Sequence, residues 1–325
     1  MYTSEELMQR VENTLTALAN EKKTRPELYA PIQYILSLGG KRLRPTLLLM
    51  AYNLYRDDVD RAMMPAVALE MYHNFTLMHD DVMDRADFRR GKPCVHKRWD
   101  ERVAILSGDA MFLFSYKRLA MCEPSKLADM LALFNQTAFE VFEGQHDDLA
   151  FETRNDVSEA EYVEMIRLKT SVLLACALKM GAMLADASLD DMQHLYDFGQ
   201  NIGLAFQLQD DYLDVYGDFR TFGKRIGGDI LCNKKTFMLI NALQKSSDAQ
   251  RRELQSWLDA TDYVPEEKIA AVTRLYTAVG VDKMALKRID EYYAAALECL
   301  RRVSVAEERK QLLWQFAKSL LGRKS

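Results

Sequence analysis

Apolar residues recur at intervals of three and four along almost the whole chain, and no stretch alternates apolar and polar with the Val, Ile and Thr content of a strand. The pattern predicts an all-α protein. Long helices are expected over 60–84, 101–122, 124–150, 158–185 and 188–217. Start signals support them: Thr3 with Glu6, Ser158 with Glu161, and Ser188 with Asp191 each place a hydroxyl three residues before a carboxylate. Stop signals follow, with Gly39-Gly40 after the apolar face of Tyr34, Ile35 and Leu38, and Gly217, Gly223 and Gly227-Gly228 after Val215-Tyr216. These helices are too apolar for single buried stripes, so some must be covered on several sides, as in a large bundle. No linker rich in Pro, Gly or Ser and no fixed repeat divides the chain, which reads as one domain over 1–325.

Composition adds exclusions. With 49% hydrophobic and 28% charged residues among 325, the chain is globular rather than disordered or low-complexity. A net charge of −5 argues against a protein that lives on nucleic-acid phosphate, so any anion site is local. Cys94, Cys122, Cys176, Cys232 and Cys299 are scattered, odd in number and without a CxxC pair, which points to a reducing cytoplasm. The start, Met1-Tyr-Thr-Ser-Glu-Glu, is acidic where a secretory signal is basic, and no apolar run nears the ~18 residues that cross a bilayer. A protein without a transmembrane segment is expected.

Two DDxxD segments carry the chemistry: Asp80-Asp81-Val82-Met83-Asp84 and Asp210-Asp211-Tyr212-Leu213-Asp214. At ordinary residue frequencies one such segment arises by chance about 0.07 times in a chain of this length, so two need a cause. On a helix Asp80 lies over Asp84 and Asp210 over Asp214, and like charges at that spacing repel unless a cation offsets them. A solvated acidic turn would fit too, but the apolar flanks Phe75, Met78, Val82, Phe206 and Leu213 place the motifs beside a core. Carboxylates without thiols select a hard cation, and Mg²⁺ is commonly held by one or two carboxylates with substrate phosphate completing its shell. Basic clusters complement them. Gly39-Gly40-Lys41-Arg42-Leu43-Arg44-Pro45 opens a helix, where an anion is favoured, and Arg89-Arg90-Gly91-Lys92-Pro93 follows the first acidic motif. Such a chain is equipped for two anions, one through metal and one through Lys and Arg directly.

These motifs resemble the trans-isoprenyl diphosphate synthases, the polyprenyl synthetase family, over most of the chain. The matching stretches are GGKRLRP at 39–45, DDVMDRADFRRGKP at 80–93 and GLAFQLQDDYLDVYGD at 203–218. Shorter ones are AILSGDAMF at 104–112, EGQHDDL at 143–149, LKT at 168–170 and GKRIGGDILCNKKT at 223–236. The resemblance implies one large helix bundle of the isoprenoid synthase type with a central active-site cavity, and a homodimer. It implies that Asp80, Asp84 and Asp210 hold three Mg²⁺ ions on an allylic diphosphate, with Asp81, Asp211 and Asp214 close by or bound through water. Arg89, Lys169, Gln207, Lys224 and Lys234 would grip that diphosphate. Isopentenyl diphosphate would bind without metal to Gly40, Lys41, Arg44, His73 and Arg90. Lys169, Thr170 and Gln207 would line the allylic carbocation, and pyrophosphate would take the final proton. For His73 and Thr170 a purely structural role competes: a core histidine, and a hydroxyl bonded back to a carbonyl one turn earlier. The carboxyl end 322–325 and the loop 223–228 are candidate lids.

Phe75, five residues before Asp80, lies about 7.5 Å along the helix, where a third or fourth isoprene unit would press. By resemblance an aromatic floor there, with small Thr76 beside it and no insertion in the first motif, implies a C20 product, with C15 next. Tyr72, Met111 and Phe112 are neighbours of the same cavity or core. Rival readings are a longer-chain synthase, a terpene cyclase, a metal phosphohydrolase suggested by His79-Asp80, and an inactive regulatory subunit. The cyclase reading needs a second metal motif that NDVSEAE at 155–161 fails in spacing. The hydrolase reading leaves GGKRLRP and the second DDxxD unexplained, and the inactive subunit should lack an aspartate motif.

Overall fold

The computed structural model describes residues 1–19, 25–217 and 226–321. The expected helices form with shifted ends. In order they are α1 Ser4–Ala19, α2 Pro26–Ser37, α3 Leu43–Asn53, α4 Met63–Met83, α5 Val95–Arg98, α6 Glu101–Leu119, α7 Leu127–Thr153, α8 Glu159–Ile166, α9 Val172–Leu184 and α10 Leu189–Tyr216. There follow α11 Gly228–Leu231, α12 Phe237–Lys245, α13 Asp248–Asp259, α14 Pro265–Val279, α15 Val281–Arg302 and α16 Glu307–Leu321. The first turns of the expected 60–84 and 124–150 helices tighten instead into 3₁₀ turns at Val59–Ala62 and Pro124–Lys126.

The caps bear out the start signals at Thr3 and Ser158. The Glu6 N–H donates to Thr3 Oγ1 at 3.2 Å while Glu6 accepts from the Thr3 N–H at 2.7 Å, and Ser158 with Glu161 repeats the reciprocal box. Ser188 caps Asp191, but the Asp191 carboxylate turns to Tyr55 Oη and the Ser304 N–H instead.

Two compact units emerge. The first comprises Met1–Asn135, Cys176–Gln193 and Ser304–Leu312, and the second Gln136–Ala175, His194–Val303 and Leu313–Ser325. In the first, α3 is buried on every side from Pro45 to Asn53, each Leu contributing about 1.5–3 kcal/mol of burial. Gly181 of α9 permits that closeness, since a Cβ there would stand 2.2 Å from the Leu48 carbonyl. In the second, Tyr162, Ile166, Leu208, Phe237, Val272 and Tyr276 belong to one apolar cluster.

The expected helix 158–185 is not continuous. Arg167–Ser171 form a π-turn between α8 and α9, with the Val172 N–H reaching five residues back to the Arg167 carbonyl. Neighbouring backbone crowds this turn: a Cβ on Gly144 of α7 would stand 2.4 Å from Lys169 N, and one on Gly203 of α10 2.8 Å from Ser171 Cα. A second departure is a hairpin pairing β1 Phe88–Arg89 with β2 Lys92–Pro93. Its central residues, Arg90 at φ 53° and Gly91 at φ 74°, give the primed turn that suits a two-residue connection.

Candidate active site

In the first unit, the last turn of α4 carries Asp80 and Asp81, and Asp84 caps it. Carboxylates at a helix C-terminus face the negative end of the dipole and demand a cation. Asp81, 3% exposed, receives one from the hairpin: Arg89 Nε and Nη2 donate to its two oxygens, each at 2.8 Å. Burial opposes the Arg89 charge, but the bond and charge of Asp81 outweigh it and hold the guanidinium above its ordinary range. The tight turn then delivers Arg90 onto Gly40, where a Cβ would stand 2.7 Å from Nη2. Gly40 is therefore glycine for two reasons, its φ of 141° and the guanidinium occupying its side-chain space.

The basic run 41–44 divides into different roles. Lys41 is exposed. Arg42, at φ 45°, is buried and committed to structure, donating to Glu12 and Glu70 at 2.7 Å each and to the Leu36 carbonyl at 2.6 Å. Arg44 Nε is buried with no hydrogen-bond partner, and burial lowers its guanidinium to about 10 against the pull of Glu70. His73 is held well below its usual range, first by burial and then by the charges of Arg44, Arg90, Arg89 and Arg42. Burial and the four neighbouring arginines thus all disfavour its charged form. Thr76 donates back to the His73 carbonyl at 2.8 Å. Phe75 stacks with Tyr72, Phe112 and His79 at centroid separations of 5.7, 5.0 and 4.8 Å. His79 faces α6, its Nε2 3.1 Å from the Ile105 carbonyl oxygen, and so is not directed with His73 into one hydrolase-type centre.

In the second unit, α10 carries Asp210, Asp211 and Asp214. Asp211, 5% exposed, accepts a short bond from Tyr162 Oη and one from Gln207 Nε2 at 3.3 Å. Burial first, and Asp229 second, push its carboxyl up to about 7, while Tyr162, Lys234 and Gln207 pull the other way. Asp214 accepts the Asp229 N–H at 3.0 Å. The π-turn points its two central side chains apart in function: Lys169 Nζ pairs with Asp148 at 2.5 Å, and Thr170 donates to Gln207 Oε1 at 3.4 Å. Burial would raise Asp148, yet Lys169 and Lys234 keep it below its usual value. Lys224 lies outside the described residues, as do 322–325 and the first part of the 223–228 loop.

Sequence reasoning missed four contributors: Asp148, Tyr162, Asp229 and the Arg42–Glu70 pair. Asp148 and Asp229 stood inside quoted motifs; nothing in the spacing marked Tyr162. Among the described residues no three His, Cys, Asp or Glu groups form a metal cage by themselves. Carboxylate oxygens are the donors of a hard cation such as Mg²⁺, which takes one or two of them and fills its remaining sites from phosphate and water. The second carboxylates of the two motifs are each engaged within their own unit, Asp81 by Arg89 and Asp211 by Tyr162.

The described residues are almost entirely helical, with an acidic motif in each unit, and the solved neighbours share this isoprenoid synthase fold. The family model described as polyprenyl synthetase matches residues 25–276, and the chain belongs to that family. It is 38% identical over 303 residues to the geranylgeranyl diphosphate synthase of Methanosarcina mazei, covering 92% of this chain and 91% of the relative. A crystal structure of geranylgeranyl pyrophosphate synthase, 44% identical, matches all of both chains with a TM-score of 0.94. A polyprenyl synthase from Caulobacter crescentus complexed with calcium and isoprenyl diphosphate, 28% identical, covers 99% of this chain and 96% of its own with a TM-score of 0.86. As a member of this family the chain is a trans-prenyltransferase.

Proposed function

We propose that the protein condenses isopentenyl diphosphate with C5, C10 and C15 allylic diphosphates to an all-trans product, geranylgeranyl diphosphate, with the C15 product as the alternative. What supports this reading is the first unit's placing of Asp80 and Asp84 at the end of α4, with the buried, unpartnered Nε of Arg44 and the guanidinium of Arg90 packed on Gly40 in the same unit; in this reading the carboxylates serve a metal and the arginines, with His73, a naked diphosphate. When bound, Mg²⁺, three ions in this reading, neutralises charge on the departing pyrophosphate. In this reading Asp80, Asp84 and Asp210 would hold it and Arg89, Lys169, Lys224 and Lys234 would neutralise the remaining charge, so that the allylic C–O bond would break with its electron pair leaving on oxygen. Thr170 and Gln207 present oxygen atoms to the carbocation. The alkene of isopentenyl diphosphate attacks it, and pyrophosphate takes the proton that restores a double bond.

The same reading takes 1–325 as one domain acting in the cytoplasm, without nucleic acid, as a homodimer. Leu106 and Leu113, seven residues apart on α6, are 60% and 68% exposed and suit a subunit contact. No described helix is long and apolar enough to cross a membrane. The test is condensation of labelled isopentenyl diphosphate with each allylic primer in Mg²⁺, with products sized by mass spectrometry. Extension stopping at C20, and lengthening in Phe75→Ala, are expected. Extension to C30 in the unaltered enzyme would remove the Phe75 floor, and consumption of diphosphates without condensation would overturn the reaction.

A further inference from the structure

Beside the diphosphate motif of the first unit lies a cavity of about 580 Å³ that the reaction above does not use. Its apolar wall is Leu15, Ala30 and Leu36, and at Ala19, Gln33 and Leu36 it adjoins a narrower slot of about 30 Å³ lined by Ile32, Met71 and Phe114. At its polar end Arg98 lies over the rings of Tyr34 and Trp99, its guanidinium carbon 4.4 and 4.9 Å from their centroids. Stacking uses the face of a guanidinium and leaves its N–H edge for an oxyanion. Arg98 makes no ion pair among the described residues. The carboxylate lining the cavity, Glu12, is already paired with Arg42. A cation at one end and an apolar wall along the larger cavity are complementary to a molecule with an anionic head and a hydrocarbon tail.

We propose that this cavity binds an anionic amphiphile, a prenyl or acyl chain bearing phosphate or carboxylate, and that its occupancy weakens capture of isopentenyl diphosphate. The coupling is short. Gly39 and Arg42 line the cavity, and they are respectively the residue before Gly40 and the buried arginine that anchors the 41–44 run. An occupant bearing on them shifts Gly40 against Arg90 and alters the nest that holds the second diphosphate. Because that diphosphate binds without the metal-held carboxylates, the occupant raises KM for isopentenyl diphosphate and leaves kcat unchanged.

Trp99 reports binding directly. Geranylgeranyl monophosphate and palmitate are titrated separately into the full-length protein in metal-free buffer, following tryptophan emission, with Trp99→Phe as the spectroscopic control. The kinetic arm rests on the proposed reaction; the binding arm does not. Both probes are expected to quench emission, to bind at least tenfold more weakly to Arg98→Glu, and to bind more weakly to Ala30→Phe, which narrows the cavity at its apolar wall. Uninhibited Arg98→Glu should keep kcat and KM within twofold, while either probe raises the wild-type KM for isopentenyl diphosphate severalfold. Binding of the prenyl probe alone assigns the site to prenyl ligands; binding of both assigns it to anionic lipids in general. The proposal is overturned if neither probe quenches emission, or if the wild type and Arg98→Glu bind equally.

Discussion

The two DDxxD segments share their spacing but not their electrostatics. In the first, the middle carboxylate, Asp81, is gripped by both arms of Arg89 from a hairpin eight residues on. In the second, Asp211 is held by the hydroxyl of Tyr162 and the amide of Gln207, and burial moves its titration up to about 7. One is fixed by charge and the other by neutral donors. The lesson is that a motif specifies which carboxylates flank the middle position, while the fold around it decides what the middle carboxylate is.

The largest test of this contrast is whether the flanking carboxylates are equivalent. Asp80→Ala and Asp210→Ala should each lower kcat by about 10²–10³-fold or more, the scale of losing a key electrostatic contact, with wild-type far-UV circular dichroism. If one variant kept near-normal turnover, only one motif would carry the chemistry. Next come the middle partners. Arg89→Met strands a buried carboxylate and should cost about 3–5 kcal/mol in urea unfolding, whereas Tyr162→Phe removes a neutral donor and should cost about 1–3 kcal/mol. Equal losses would erase the distinction between charge and neutral fixation.

The arginine nest sharpens the comparison through pH. His73 has a folded pKa well below the unfolded value near 6.5, so below that pH the unfolded chain binds a proton that the native state refuses. Stability from this group is complete above about 6.5 and falls as pH drops, by up to about 1.4 kcal/mol per unit until the folded pKa is reached. Unfolding free energies between pH 5 and 7 should therefore decline less steeply in His73→Gln than in the wild type; parallel curves would contradict a neutral His73. The smallest effect is expected at Thr170→Val, which breaks the 3.4 Å bond to Gln207: about 0.5–1.5 kcal/mol of stability, and a fall in kcat with little change in KM for isopentenyl diphosphate.

Local pattern made much of this architecture legible. The helices at 101–122 and 188–217 were readable because apolar periodicity reflects burial directly, and the family because two DDxxD segments at matched spacing are improbable by chance. What escaped depends on distant neighbours. Arg42 looked like one more cation in a basic run, yet Glu12 and Glu70, far away in the chain, make it a buried strut. The 88–93 hairpin is too short to show alternation, and its turn rests on a non-glycine residue at positive φ. Tyr162 reads as an ordinary core aromatic until Asp211 is placed against its hydroxyl.

The π-turn also changes how distances along this segment should be counted. Its extra residue is absorbed without lengthening the spiral by a normal step, so a helical wheel drawn from Glu159 to Leu184 slips by one position, about 100°, on passing Ser171. Two positions one or two turns apart across 167–171 do not share the face that ordinary counting assigns them. Anyone aligning, grafting or shortening this segment must keep its phase as well as its letters: deleting one residue within 167–171 would return the turn to ordinary α-helix and leave α9 in its present phase against α8, whereas deleting one within α8 would rotate all of α9 by about 100°.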